Sequence, residues 1–273
     1  MENNYHIERK RLQRITKEQE IFLRKTLFKT ANLEFFLRKC HQLAPYSIRN
    51  VLLMIAQSNG QVSECKGVDG WRKKGVKVLP GATPMKIFAP NEKGAWSITN
   101  VYDVCNTDGV REEQLLPTPE YHMQLLSRLL QKTVGWNLEI VKFRPDFRKM
   151  TAKNNTRKTV YIRDDLSPRI QAVLAIREIS ILAMSKDCLQ GKRVPMTEEK
   201  TMAFATVVAF EVADWLKENP PKIPNKVKEI LLNEGEFLDN LKDINRVAYQ
   251  LIKELKNILS VAYAKEEEKM AKV

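Results

Sequence analysis

The distribution of glycine restricts the fold of this chain more than any other feature of its sequence. Six of the ten glycines fall between residues 60 and 94, where they separate short β-like runs such as KVLPGATPMKIFAP and GAWSITNVYDVC. The sequence before and after this region has the three-to-four-residue periodicity of helices. We therefore expect a small antiparallel sheet packed on helices, and an α+β fold for the chain.

Helical periodicity and prolines define the first domain. Apolar residues recur at helical spacing over 8–42, and Ser47 can cap a second helix that ends near Gln57. The segment REEQLLPTPEYH contains two prolines and is a plausible linker near 110–118. These signals predict an N-terminal domain over 1–112.

The second predicted domain spans 119–273 and is mostly helical with a short sheet. NLEIVKFRPDF and KTVYIRD are expected to form strands, and helices are expected at about 168–186 and over EEKTMAFATVVAFEVADWLKEN. A long C-terminal helix follows PPKIP, and its spacing of apolar residues is that of a core-facing helix. The residues of this apolar stripe are Ile244, Val247, Leu251, Leu255 and Ile258.

Positive charge is concentrated in the first three-quarters of the chain. Lysine and arginine number 46 against 33 aspartates and glutamates, which gives a net charge of +13. Residues 1–199 hold 34 basic and 21 acidic side chains, whereas residues 200–273 hold 12 of each. A basic surface attracts polyanions such as nucleic acid, although solubility alone is the alternative explanation.

Several classes of protein are disfavoured by what the sequence does not contain. No run of about 18 apolar residues is present, so we expect no membrane span. The N-terminal stretch MENNYHIERKRLQR has no apolar core, so we expect no secretory signal. The four cysteines form no CxxC pair, which favours free thiols in a reducing compartment. A cytoplasmic location is therefore expected.

Three motifs in the first half follow one another in a fixed order. They read YSIRNVLLMIAQ, GVDGWRKKGVKVLPGATPMKIFAP and VYDVCNTDG. Over about residues 20–108 this order and spacing resemble the ArdC-like antirestriction family of plasmids, phages and integrative elements. The matching residues are Tyr46, Ser47, Asn50, Gln57, Trp71, Gly75, Gly81, Pro90, Tyr102, Asp103 and Thr107.

The N-terminal domain of that family binds single-stranded DNA, so the resemblance implies single-stranded DNA or another nucleic acid as the partner here. Trp71 is followed directly by three cations, and such a pairing suits a single-strand binder because bases stack on the ring while phosphates pair with the cations. A second basic group lies in the predicted strand pair. The candidate nucleic-acid-binding residues are Tyr46, Asn50, Trp71, Arg72, Lys73, Lys74, Lys77, Lys149, Lys153, Arg157 and Lys158.

A structural role is the alternative for the uncharged candidates. Trp71 and Trp96 are equally well interpreted as buried packing residues. Tyr46 and Asn50 are alternatively a core tyrosine and a hydrogen-bonding residue at the start of a helix.

The second half resembles the metallopeptidase domain of the same family, in which a helix carries a His-Glu-x-x-His zinc motif. At that place this chain has Arg177, Glu178 and Ile181. Arginine stays protonated at neutral pH and isoleucine has no donor atom, so neither replaces a histidine ligand. We expect no metal, no cofactor and no enzymatic activity, with Glu178 as a vestigial general base.

A buried carboxylate without a metal requires a partner. We expect Glu178 to pair with Lys200 or another base, or to reach water. The competing interpretation of this segment is a core helix with no peptidase ancestry.

Two functions remain open from the sequence. The first is a non-catalytic nucleic-acid-binding protein of the antirestriction or anti-defence type, carried by a mobile element or phage. The second is an inhibitor that binds a host defence protein through a metal-free peptidase-like groove, with an edge strand near 158–163 that adds a partner's peptide to the sheet.

Overall fold

The computed structural model describes the chain in seven stretches. They are 2–26, 30–91, 94–109, 119–144, 149–187, 196–232 and 236–270. The chain divides into two compact units, Met1–Gln114 and Leu115–Val273. The linker predicted near 110–118 lies outside the described residues.

The N-terminal unit consists of helices and a small sheet. The periodicity over 8–42 corresponds to two helices, α1 and α2, and Ser47 caps α3 by accepting a hydrogen bond from the Asn50 amide. The elements in chain order are α1 (Glu2–Thr26), α2 (Thr30–Gln42), α3 (Ile48–Gln57), β1 (Cys65–Lys66), α4 (Val68–Arg72), β2 (Met85–Pro90), β3 (Trp96–Asp103) and a 3-10 turn (Val104–Asn106).

The predicted antiparallel sheet is present, with strand order β1-β3-β2. Cross-strand partners share a face of the sheet, and the pair Met85–Val101 together with Ile87 defines the buried face. Helix α3 packs against β2 on this unit. The α+β class expected from the sequence is confirmed.

Two carboxamides on α3 complete the hydrogen bonding of β2, which is the edge strand of the sheet. Asn50 Nδ2 donates to the Phe88 carbonyl over 2.7 Å, and the Phe88 amide donates to Asn50 Oδ1 over 3.1 Å. Gln57 makes the same pair of bonds to Lys86, each of 2.9 Å. An unpaired strand edge invites association with other chains, and these side chains occupy the edge as a neighbouring strand would.

The described residues of the C-terminal unit form a three-stranded sheet and five helices, the last of which is long. The sheet has strand order β4-β6-β5, with β4 parallel and β5 antiparallel to β6. The elements are α5 (Pro119–Val134), β4 (Asn137–Val141), β5 (Thr151–Asn154), β6 (Thr159–Arg163), α6 (Pro168–Asp187), α7 (Glu198–Trp215), α8 (Asn225–Leu231) and α9 (Phe237–Met270).

One prediction about this sheet is wrong. Strand β6, the run near 158–163 that was expected to offer a free edge, lies between β4 and β5 and is paired on both sides. It therefore cannot accept a peptide. Strand β5 was not predicted, because its sequence TAKN lacks an apolar alternation.

The core of the C-terminal unit contains an acidic side chain. Helix α7 is buried along most of its length, and Glu211 on it is fully buried. Neither carboxylate oxygen of Glu211 has a hydrogen-bond partner among the described residues. Burial, with a smaller contribution from Asp214, raises the pKa of Glu211 well above its ordinary value, so the carboxyl group is held neutral in the folded chain.

Within the described stretches, no helix combines the length and the apolar character that crossing a bilayer requires.

Three cysteines of these stretches, Cys40, Cys65 and Cys105, are free thiols. Cys188 lies outside the described residues.

Asn50→Ala should destabilise the N-terminal unit. The substitution leaves the buried-side amide and carbonyl of Phe88 without partners, which costs about 1–3 kcal/mol of the free energy of unfolding. Urea unfolding of the full chain measures this loss. Asn100→Ala, at an exposed asparagine of β3, is the matched control and should stay within about 0.5 kcal/mol of the wild type. Equal stabilities of the two variants would contradict the role assigned to the carboxamide.

Glu211→Gln should stabilise the chain at neutral pH. A carboxyl group whose folded pKa is raised is protonated in both states below the ordinary value of 4.5. Above that value the unfolded chain releases the proton and the folded chain keeps it, so the wild type loses up to about 1.4 kcal/mol of stability per pH unit. Glutamine has no ionisable proton, so this position makes no pH-dependent contribution to the free energy of unfolding of the variant. The difference in free energy of unfolding should therefore grow from pH 4.5 upwards, and a constant difference from pH 4 to 8 would contradict this.

Candidate nucleic-acid interface

Trp71 does not provide the stacking platform that the sequence suggested. It lies on α4 with only 2% of its surface exposed, and its Nε1 donates a 3.0 Å hydrogen bond to the Tyr102 carbonyl. The Lys66 ammonium stands 5.1 Å from the centre of its ring. A base cannot reach a ring that is enclosed in this way, so the buried packing role is the correct interpretation of Trp71.

Tyr46 and Asn50 also hold the fold together. The Tyr46 hydroxyl donates to the Cys65 carbonyl over 3.0 Å, and burial raises the pKa of Tyr46 to about 12. Asn50 is 5% exposed and both ends of its amide are engaged by Phe88. Asn50 therefore has no free amide group for a nucleic acid, and its assignment as a contact residue is wrong for this structure. Tyr46 is half-buried with its hydroxyl engaged, which favours the structural role for this residue.

A third motif residue, Asp103, organises the start of the sheet. Its carboxylate accepts hydrogen bonds from the amides of Ser63, Glu64 and Cys105 over 2.6, 3.1 and 3.2 Å. Several residues that carry the family resemblance therefore serve as scaffold in this chain.

Cations near Trp71 are partly neutralised by their own neighbours. Arg72 pairs with Asp69 over 3.0 Å, and Lys74 pairs with Glu64 over 3.2 Å. Burial opposes ionisation of Glu64, but the hydrogen bonds from its two lysine partners outweigh it and lower the pKa of Glu64. Lys73 and Lys77 are exposed, and within the described part of the chain they form no ion pair. Of the four predicted cations, these two are available to phosphates.

The basic residues of the C-terminal unit do not form one patch. Lys149 precedes β5, whereas Arg157 and Lys158 lie in the turn after it. The four residues of β5 separate the two groups by about 13 Å. Lys153, within the strand, is bound to an acidic partner.

That partner is Glu178 on α6. The Glu178 carboxylate is buried, with Oε1 accepting a 3.0 Å hydrogen bond from the Thr151 hydroxyl and Oε2 lying 3.1 Å from Lys153 Nζ. The second contact is an ion pair without hydrogen-bond alignment. The expectation of a basic partner is correct, but Lys200 is not that partner because it pairs with Glu236 over 2.7 Å.

The residues around Glu178 do not fit a divalent metal. Arg177 is exposed, and Ile181 is 8% exposed and has no donor atom. The Lys153 ammonium already supplies the positive charge that this carboxylate requires, and it would repel a metal ion. Among the described residues no group of three or more histidine, cysteine, aspartate or glutamate side chains is arranged to hold a metal.

The N-terminal sheet has a second face, and this face presents an exposed indole. Trp96, at the start of β3, is 63% exposed. Strand alternation puts Ile98, Asn100 and Tyr102 on the same face, opposite to the buried Val101. Their partners across the sheet are Pro90, Phe88, Lys86 and Lys66. This second face, defined by Trp96, Ile98, Asn100 and Tyr102, is called the open face below.

Helix α1 brings a cation to the open face. The Tyr5 hydroxyl donates a 3.1 Å hydrogen bond to the Trp96 carbonyl, and Glu8 pairs with Lys86 over 3.2 Å. Arg9 follows Tyr5 by one helical turn and is therefore on the same side of α1. Arg9 is exposed, and the described residues provide it with no acidic partner. An exposed indole and an unpaired guanidinium thus flank the same end of the sheet.

Trp96 is not among the residues that the sequence predicts to bind nucleic acid. The alternation in WSITNVYD could have indicated it, because Trp96 and Val101 must lie on opposite faces of one strand. Apolar residues occur on both faces of this strand, however, so only packing against α3 reveals which face is the core.

Of three comparisons with known proteins, the search of solved structures found similar chains. No family model matches the sequence, and a search of curated proteins found none that matches. The chain is similar to two crystal structures of the antirestriction protein ArdC from plasmid R388, one bound to Mn(II) and one metal-free. The first is 14% identical with a TM-score of 0.45, over 89% of this chain and 97% of the other. The second is 13% identical with a TM-score of 0.45, over 90% and 98%. Both structures belong to the family that the sequence motifs resemble.

Proposed function

We propose that the chain binds single-stranded nucleic acid through the open face of its N-terminal sheet. The observation that carries this proposal is the 63% exposure of Trp96 on a structured strand. Exposing an indole to water is unfavourable, and an aromatic ring held on a rigid strand can stack an unpaired base without losing side-chain freedom.

Three further features support the open face as the contact surface. The exposed Asn100 and the half-buried Tyr102 lie on the same face as Trp96, about 13 and 20 Å further along β3, so the face offers hydrogen-bonding and aromatic groups to successive nucleotides of an extended strand. Arg9 is free to pair with a phosphate. A duplex hides the faces of its bases, so stacking on Trp96 favours single strands.

The biological setting that we propose is antirestriction or anti-defence activity in the host of a plasmid or phage. Its support is the order and spacing of the three sequence motifs, which resemble the ArdC-like family. Occupancy of exposed single strands is the mechanism that fits a chain whose contact surface stacks bases without reading their sequence.

We further propose that the chain catalyses no hydrolysis at Glu178. A general base must accept a proton from water, whereas this carboxylate is buried and engaged by Thr151 and Lys153. The flanking Arg177 and Ile181 offer no ligand that would hold a catalytic metal beside it.

Trp96→Ala should weaken binding of an oligothymidylate by about 5- to 140-fold. This range corresponds to the ~1–3 kcal/mol that one stacked base contributes. Fluorescence anisotropy of a labelled oligonucleotide measures the affinity. Phe22→Ala removes an aromatic side chain of similar exposure, 57%, from α1 of the same unit and should leave the affinity unchanged. Equal affinities of the wild type and the Trp96 variant, with unchanged melting temperature, would refute the open face as the contact surface.

Zinc and manganese should leave the stability of the chain unchanged. A ligand that binds only the folded state raises stability in proportion to the logarithm of its concentration over Kd, so about 1 mM metal would reveal even micromolar binding. Differential scanning fluorimetry with and without ZnCl2 or MnCl2 measures the effect, and excess EDTA provides the baseline. A rise of several degrees that EDTA reverses would mean that the residues around Glu178 rearrange to accept a metal.

A further inference from the structure

Strand β4 of the C-terminal unit has an open backbone edge. The Asn137 amide donates to the Lys158 carbonyl, and the Asp164 amide donates to the Val141 carbonyl, so odd-numbered residues of β4 bond to the β6 side. Parallel pairing alternates, and the amides and carbonyls of Leu138 and Ile140 therefore point away from the sheet. No described residue pairs with them.

A groove runs along the same edge on the helical side of the sheet. It has a volume of about 380 Å³ and is lined by Leu138 and Ile140 from β4 and by Met123, Gln124, Ser127 and Arg128 from α5. Ile140 is 45% exposed although its cross-strand partner Ile162 is fully buried. The apolar surface that covers β6 thus continues to the edge of β4, where no described residue covers it.

Basic residues lie in the groove and directly after β4 in the sequence. Arg128 lies in its wall, and Lys142 and Arg144 follow directly after β4. All three side chains are exposed, and the described residues provide none of them with an acidic partner. The one acid of β4, Glu139, alternates with Leu138 and Ile140 and so belongs to the opposite face of the sheet.

We propose that the edge of β4 and the adjoining groove bind an extended, acidic peptide segment of a partner protein. The peptide adds a strand beside β4 and bonds to the amides and carbonyls of Leu138 and Ile140. Its alternate residues face α5, and apolar side chains at these positions cover Ile140 and Met123. Acidic residues of the peptide pair with Arg128, Lys142 or Arg144.

The hydrogen-bonding pattern of the edge favours a peptide over a nucleic acid. The open edge presents amide donors and carbonyl acceptors in alternation. A phosphodiester backbone carries acceptors only and leaves the two carbonyls without donors, whereas an extended peptide matches both. About five residues of peptide span the strand at roughly 3.3 Å each. This site is separate from the open face and does not depend on the nucleic-acid proposal.

A random dodecapeptide library displayed on phage tests the proposal when panned against the full chain. Enriched peptides should be acidic, with apolar residues at alternate positions. Ile140→Pro removes the outward amide and keeps the bonds to β6, because the amide of residue 140 does not face that strand. This variant should weaken binding of the enriched peptides at least tenfold, while Ile140→Val should bind like the wild type.

A second variant protects the test against misfolding of the strand. Ser127→Trp fills the groove from α5 with an uncharged side chain and without altering β4, and it should also reduce binding at least tenfold at an unchanged melting temperature. Failure to enrich such peptides, or equal binding to the wild type and Ser127→Trp, would overturn the proposal. Displacement of the bound peptide by an oligothymidylate would overturn it as well, because the groove would then be a nucleic-acid site.

Discussion

The hydrogen bonds between two carboxamides of α3 and the backbone of β2 determine what the N-terminal sheet can do. Asn50 and Gln57 occupy the outer edge of β2 and fix α3 against the sheet. Once that edge is closed and one face is buried, the described residues leave the other face of the sheet as a broad surface for a ligand. The exposure of Trp96 follows from this arrangement, because Val101 on the same strand must point to the core. A substitution at Asn50 or Gln57 would therefore affect the open face through the position of β3 rather than through direct contact.

The edge strands β2 and β4 differ in whether side chains of the described residues bond to their outward backbone groups. In the N-terminal unit the side chains of α3 seal the edge of β2, and a sealed edge cannot pair with another chain. In the C-terminal unit Leu138 and Ile140 of β4 keep free backbone groups beside an apolar groove. Natural proteins usually protect such an edge, so an unprotected edge next to uncovered apolar surface indicates a partner more strongly than either feature alone. The contrast within one chain also argues against a general tolerance of open edges.

Local signals in the sequence were sufficient for most of the elements, with β5 as an exception, and insufficient for their pairing. Ser47 identified the start of α3, and the alternation in GAWSITNVYDVC identified β3, because caps and periodicity depend on residues close in sequence. The roles of Trp71 and Trp96 depend on which face of the sheet α3 covers, which is a contact between distant segments. The position of β6 between two strands could not be foreseen for the same reason, since β5 has no apolar alternation. Likewise, the requirement for a cation at Glu178 was predictable from burial, but the choice of Lys153 depends on how β5 lies against α6.

Ion pairs within each unit make the positive charge that is available to a polyanion smaller than the net charge of +13 suggests. Arg72, Lys74 and Lys153 contribute to that charge, yet each is held by an acid of its own unit. A cation that already has a partner gains little from a phosphate, because it must give up one ion pair to make another. Lys73, Lys77 and Arg9 have no acidic partner among the described residues, but their contacts with phosphates are exposed and are screened over about 8 Å at physiological salt. Stacking on an aromatic ring is much less sensitive to salt. If the chain binds single strands, Trp96 is expected to supply a part of the affinity that persists at high salt, and the excess positive charge also increases the rate of encounter.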